Sequence, residues 1–245
     1  NMKKIISIML LTTTLFSEYS VGDTISLEDQ VVEYAIGYGE HPLIPGQTNF
    51  LLSETNGDLN GGLYTVSAYS IQATWWGPSC VTIGPMDTIE ETWEDNPHVV
   101  IATVLDDINQ PYSCENWADM GFHNNNFIIN DDLNIFQHFS STYAYEASYP
   151  SIIYIDHTMT IHHLSADIGV YITNNLIEDM LENCGDLCAV ISGDLNYDEV
   201  IDILDIIITV NMIMGNEYSM IADLNDDGTV NILDIIHLVN IILDT

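Results

Sequence analysis

One twelve-residue pattern is written twice near the C-terminus: DLNYDEVIDILD over residues 194–205 and DLNDDGTVNILD over residues 223–234, in register 29 residues apart. Two such loops constrain the fold strongly, because their clustered carboxylates repel one another unless a cation sits among them. Each copy places side-chain oxygens at loop positions 1, 3, 5, 9 and 12 and leaves position 7 to offer its carbonyl, the ligand order of a looped calcium site. In the first loop the ligands are expected to be Asp194, Asn196, Asp198, the Val200 carbonyl, Asp202 and Asp205. In the second they are Asp223, Asn225, Asp227, the Thr229 carbonyl, Asn231 and Asp234, so two calcium ions are expected. Gly228 occupies the sixth position, where the backbone must turn sharply. The first loop has Glu199 there, so its site is expected to be weaker or less regular.

Both loops end in aspartate, not the usual bidentate glutamate, and no helix precedes the first. With the duplication and the helix after each loop, residues 193–243 resemble a type I dockerin, a small all-α module of duplicated EF-hand-like loop-helix units. The resemblance implies two bound calcium ions and docking to a cohesin-like protein partner through the C-terminal helices. Loop positions 10 and 11 are Ile203-Leu204 and Ile232-Leu233, where dockerins of the cellulosome type carry small hydroxyl residues, so the partner's identity does not carry over. The following helices are apolar on more than one face, more than the two can bury against each other, and something else must cover the remainder.

The chain holds 37 acidic residues against two basic ones, for a net charge of −35, and the two basic ones are Lys3 and Lys4. Past residue 4 there is no lysine or arginine to neutralise a phosphate, which excludes nucleic acid and anionic membrane as partners. Met2-Lys3-Lys4 followed by IISIMLLTTTLFS reads as a secretory signal peptide over residues 1–17, too short to span a membrane. No other run reaches membrane length, so a secreted, extracellular or cell-surface location is expected, with the periplasm as the alternative. Residues 18–48 are weakly patterned and are read as an extension without assigned function.

From residue 49 the order is strands and helices. NFLLSETNGDLNGG and LYTVSAYSIQATW read as strands, VTIGPMDTIEETW as a helix, HVVIATVLDD as a strand and CENWADMG as a short helix. YPSIIYID and TMTIHHL read as a hairpin, DIGVYITNNLIEDMLEN as a closing helix, and residues 122–148 as a surface elaboration. Of the adjacent His162 and His163, one is expected to face the core and the other solvent.

That order, with ATWWGPSC at the first strand-to-helix junction and Pro150 opening the later hairpin, resembles the thioredoxin fold over residues 49–183, in particular exported redoxins of the TlpA type. The resemblance implies an active-site-like segment at Trp76, Gly77, Pro78 and Ser79, faced by Pro150. The family's WCGPC pattern is broken: Trp76 stands where the nucleophilic cysteine belongs, Ser79 takes the resolving position, and Cys80 follows one place later. A helix N-terminus lowers a thiol pKa, but tryptophan has no thiol, so the chemistry needs Cys80 with Cys114 or a misread residue 76.

Cys114 follows the strand that ends at Asp106-Asp107, at the same carboxyl edge as Cys80, so the two are candidates for a structural bridge or a redox couple. Cys184 and Cys188, in the linker 184–192, are expected to bridge locally, although four cysteines permit three pairings. Two thiols without convergent histidines are a poor zinc set. Three functions follow. The first is an exported calcium-binding protein whose dockerin-like module (193–245) docks a degenerate thioredoxin-like domain to a partner or surface. The second is an active thiol-disulfide oxidoreductase. The third, resting on dockerin association alone, is an accessory component of a polysaccharide-degrading complex; no paired catalytic carboxylates are identified for a glycosidase.

Overall fold

The computed structural model describes residues 19–121, 127–131, 150–197, 200–219, 221–225 and 227–244. Its centre is a mixed seven-stranded sheet in the order β2-β1-β5-β4-β3-β6-β7. The two middle strands, β3 (Val66–Ala73) and β4 (Val99–Asp106), are buried along their whole length. They run parallel from Val66 opposite Val99 to Ala73 opposite Asp106, without a slip in register. Such near-continuous apolar runs are what a strand covered on both faces requires.

A parallel pair needs a crossover, supplied by α3 (Gly77–Val81) and α4 (Ile83–Trp93). On one face, Met86 and Ile89 of α4 join Ile177 and Met180 of α6 (Val170–Cys184) over Val66, Ala68, Val99 and Ile101. On the other face lie Tyr69, Ile71, Val100, Ala102 and Val104. Odd and even residues of each strand thus go to opposite faces, as the pleat dictates. The hairpin of β6 (Ser151–Ile155) and β7 (Ile161–Ser165) closes one edge, antiparallel to β3.

The second face is covered by residues that the sequence reading left as an extension. Tyr19, Ile25 and Tyr34 are buried there, and α1 (Leu27–Gln30) is capped by the Ser26 side chain. β1 (Tyr34–Tyr38) pairs with β2 (Asn49–Phe50) and with β5 (Ile128–Asn130), so the sheet begins before residue 49. An irregularity between Ile36 and Tyr38 breaks the alternation that would have marked β1. Within NFLLSETNGDLNGG the strand stops at Phe50 and becomes a 3-10 turn, Leu52–Thr55, then α2 (Gly57–Asn60). Asn56 caps that helix through its side chain, and Gly61 ends it at φ 102°. Phe127 and β5 belong to the core and not to a surface elaboration; residues 122–126 and 132–148 lie outside the described residues.

After α6 and the Cys184–Cys188 disulfide, whose Cα atoms are 5.5 Å apart, the chain forms α7 (Ile203–Gly215) and α8 (Ile232–Asp244), which pack against each other. No strand occurs among the described residues of this segment. Among the described residues no helix is long and apolar enough to cross a membrane.

One residue of α4 conflicts with its surroundings. Glu90 is 9% exposed, and no hydrogen-bond donor among the described residues reaches either carboxylate oxygen. Burial, and then the neighbouring Asp87, push its carboxyl well above the usual carboxylate range. The folded state therefore keeps a proton that the unfolded chain releases near pH 4.3, by roughly the model-peptide value. The contribution is full below that pH and is lost as pH rises through the folded value. Glu90→Gln is neutral throughout, so its stability relative to the parent should rise from acid to neutral pH. Urea unfolding of both proteins at several pH values and constant calcium measures this; a constant difference would contradict it.

Candidate functional site

Two places in the fold gather chemistry-bearing side chains. The first is the carboxyl edge of β3 and β4. There the Thr74 hydroxyl donates to the Asp107 carbonyl at 2.6 Å, and the Trp75 indole N–H donates to the Asp107 carboxylate at 2.5 Å. These bonds tie the start of the crossover to the loop after β4, where Asp107 and Asn109 take positive φ. Trp76 precedes α3 in extended conformation, and Pro78 occupies the first turn, where its missing N–H costs nothing.

Ser79 is fully buried, and its hydroxyl accepts the Ala73 N–H at 3.3 Å. It therefore holds the turn together and does not face solvent. Trp75 and Trp76 are 52% and 41% exposed and meet edge to face with ring centroids 5.5 Å apart. Such exposure of two tryptophans at the edge where α/β sites form is unusual for residues with this much apolar surface.

Cys80 is half-buried, and Cys114 is buried at the first turn of α5 (Cys114–Ala118), whose N-cap Ser113 accepts the Asn116 N–H at 3.1 Å. Both thiols pack in one apolar cluster with Ile83, Leu105, Trp117 and Ile128. The structure therefore brings Cys80 and Cys114 to one place but holds them as thiols, not as the structural bridge weighed from the sequence. The local bridge expected at Cys184 and Cys188 is present. The approach of Cys114 explains Gly37 on β1: a Cβ there would stand 2.4 Å from the Cys114 sulfur. Pro150 directly precedes β6, while Tyr149 and the bond joining them lie outside the described residues. His162 and His163 are both half-buried, the former 3.2 Å from the Asp179 carboxylate, so the expected division between core and solvent is not found.

The second place is the pair of repeated loops. Asp205 and Asp234, at position 12 of each, are fully buried and make equivalent bonds. Asp205 accepts the N–H groups of Leu195 at 2.7 Å and Asp202 at 2.8 Å. Asp234 accepts those of Leu224 at 3.0 Å and Asn231 at 2.8 Å. Each last aspartate thus ties the second and ninth residues of its own loop and fixes the start of the following helix. Position 9 then caps that helix: Asp202 accepts from Leu204 and Asn231 from Leu233.

At position 1, Asp194 and Asp223 are buried, and Asp223 accepts from Asp227 and from Gly228, the latter at φ 79° as the sixth position demands. Asn225 accepts the Asp227 N–H at 2.9 Å. The Asp227 carboxyl is held below its usual range, chiefly by its bond from the Thr229 hydroxyl. Asp198 and Glu199 lie outside the described residues; Tyr197 and Val200 border them.

An all-oxygen donor set with four buried aspartates, in a chain whose only lysines are residues 3 and 4, suits a hard divalent cation by its chemistry. Geometry tempers this, because among the described residues no three acidic, histidine or cysteine side chains converge closely enough to hold a metal by themselves. In the second loop Asp227 accepts from both the N–H and the hydroxyl of Thr229 through one carboxylate oxygen.

Sequence reasoning missed Trp75, Asp107 and Gly37, whose roles depend on contacts between distant segments. It also missed Glu90, which an acidic residue next to Ile89 on an apolar helical face could have signalled.

No family model and no curated protein matches the sequence. Solved structures do. A putative protein disulfide isomerase from Bacteroides thetaiotaomicron is similar at 13% identity, over 67% of this chain and 89% of that one, with a TM-score of 0.49. A secreted disulfide oxidoreductase of Mycobacterium tuberculosis is similar at 8% identity, over 63% and 99% of the two chains, with a TM-score of 0.46. A thiol:disulfide interchange protein of the thioredoxin family from Chlorobium tepidum gives 11%, 64%, 99% and 0.45.

Replacing Asp234 with alanine removes the acceptor of two loop N–H groups, each such bond to a charged group being worth about 1.5–3 kcal/mol. Amide exchange at Leu224 and Asn231 should accelerate strongly in that variant. Unchanged protection at both would show that the carboxylate does not close the loop.

Proposed function

We propose that this chain is an exported thiol-disulfide oxidoreductase of thioredoxin-like fold, carried on a dockerin-like calcium module. The observation that carries the reading is the pairing of a half-exposed thiol, Cys80, with a buried one, Cys114, in one cluster at the carboxyl edge of the two central strands. The sheet order and the crossover after β3 support the thioredoxin-like assignment.

In this reading the Cys80 thiolate attacks a substrate disulfide, one substrate sulfur leaves as thiolate, and a mixed disulfide forms. The Cys114 thiolate then attacks the Cys80 sulfur and releases the second substrate thiol. Two electrons pass to the substrate, and a Cys80–Cys114 disulfide remains. Asp107 and Trp75 position the start of the crossover, and the exposed Trp75 and Trp76 offer apolar area to a peptide substrate.

The C-terminal module supplies attachment. Calcium, when bound, would neutralise carboxylates that otherwise repel, adding about 2.7 kcal/mol per site at a hundredfold excess over its dissociation constant. Asp194, Asn196, Asp198, Val200, Asp202 and Asp205 would hold one ion; Asp223, Asn225, Asp227, Thr229, Asn231 and Asp234 the other. The helices present equivalent apolar positions to a protein partner of the cohesin kind. Ile203 and Ile232 are 61% and 62% exposed, and Leu204 and Leu233 are 49% and 50%.

A second reading is favoured by Trp76, which stands at the slot of the family's nucleophile. The domain then keeps the fold without the chemistry and serves as a docked surface component, within a polysaccharide-degrading complex if the partner is a cohesin.

Turnover separates the two. The reduced protein should reduce insulin disulfides and gain a Cys80–Cys114 bridge by mass spectrometry, while Cys80→Ser should lose activity and Cys114→Ser should accumulate the mixed disulfide. Activity equal in parent and Cys80→Ser protein would remove the oxidoreductase reading. Independently, a calcium chelator should abolish amide protection over residues 193–244 and leave the sheet protected. A far-ultraviolet circular dichroism spectrum unmoved by chelator would remove the calcium reading.

A further inference from the structure

Glu90 does not stand alone on its helix: it lines an open cavity of about 370 Å³ together with Trp93, Glu94, Asp95, Leu63 and Tyr197. That volume lies in the range that holds a small organic ligand, about 300–1,000 Å³. The cavity lies between the C-terminal end of α4, the sheet and the segment carrying Tyr197.

Four properties define what would fill it. First, the carboxyl of Glu90 is buried and no donor among the described residues reaches its oxygens, so the described chain supplies that group no partner. Second, the chain has no lysine or arginine beyond residue 4 with which to satisfy it. Third, the surroundings are negative: Glu94 and Asp95 are exposed beside it. Burial and then Glu94 hold Asp95 above its usual range. Fourth, no three acidic side chains among the described residues converge as a metal would need, whereas three aromatic residues, Trp93, Phe127 and Tyr197, belong to the wall.

A buried single carboxylate with aromatic walls is the chemistry that recognises an organic cation, through one charge-assisted hydrogen bond and contact with π systems. We propose that this cavity binds an alkylammonium group of the size of a lysine side chain, with Glu90 as its counter-charge and Trp93 and Tyr197 as its apolar walls. This site is separate from the thiols and does not depend on their redox role.

Calorimetric titration of the full chain, at saturating calcium and fixed ionic strength, tests it with four probes. Nα-acetyl-lysine methylamide and n-butylamine distinguish a peptide-borne from a free amine; Nα-acetyl-norleucine methylamide is the uncharged control and Mg²⁺ the metal control. Saturable binding of at least one amine is expected, with neither control matching it. Glu90→Gln, which removes the ionisable carboxyl without changing shape, should weaken that binding about tenfold or more. Leu63→Trp, which fills the cavity and keeps the carboxyl, should weaken it as well. Amine binding unchanged in both variants, equal binding of the norleucine probe, saturable Mg²⁺ binding in its place, or no binding at all would each overturn the proposal.

Discussion

Charge without counter-charge is the constraint on which this structure depends. In a chain with 37 acidic residues and lysine only at positions 3 and 4, carboxylates must be satisfied by backbone N–H groups, hydroxyls, histidine, protons or ions from solution. The folded protein uses each of the chain's own means. Glu54 pairs with His41 at 2.8 Å and also accepts the Leu51 N–H. Asp29 accepts from the Tyr19 and Ser26 hydroxyls, and Asp58 from the Tyr64 hydroxyl. Asp156 closes its turn on the N–H groups of Thr158 and Thr160. These are hydrogen-bonded anions, stronger acceptors than neutral groups and available at surface turns without burying a cation.

The same logic ranks the sites. In the repeated loops the first and last aspartates are buried, and the last of each is oriented by backbone N–H groups of its own loop. Glu90 is the opposite case, a buried carboxyl that no donor among the described residues reaches, and burial favours its protonated form. The thiol cluster is governed by packing instead. Cys114 reaches Gly37 across the sheet edge and is buried in an apolar cluster against which Cys80 packs, half-buried.

Much of the architecture was legible in the sequence. The parallel pair, its crossover helix, the closing hairpin and the last helix of the sheet domain fall where apolar runs and periodicity placed them, because long buried elements carry strong patterns. The short pieces were not legible. β1 is interrupted by an irregularity, β2 is two residues long, and β5 is three residues within an asparagine-rich stretch. Each is a strand because a neighbour supplies its hydrogen bonds, and a neighbour distant in the chain leaves no local signature. Of the site, the cysteines and loop aspartates were visible as residue types at telling spacings. Ser79 looked like part of the active segment and proves to be a buried brace for the turn.

By itself the sequence determined the duplicated loops, the acidic balance and the alternation of strand and helix, since each follows from residue type at short range, and it made a local Cys184–Cys188 bridge an expectation that the structure bears out. Only the tertiary structure decided that residues 19–50 cover one face of the sheet and that Cys80 and Cys114 share a cluster as thiols. It alone also decided that Glu90 is buried beside a cavity, out of reach of any donor among the described residues. Those facts are contacts between segments far apart in the chain, fixed by which surfaces the core can exclude from water, and no window of sequence contains both partners.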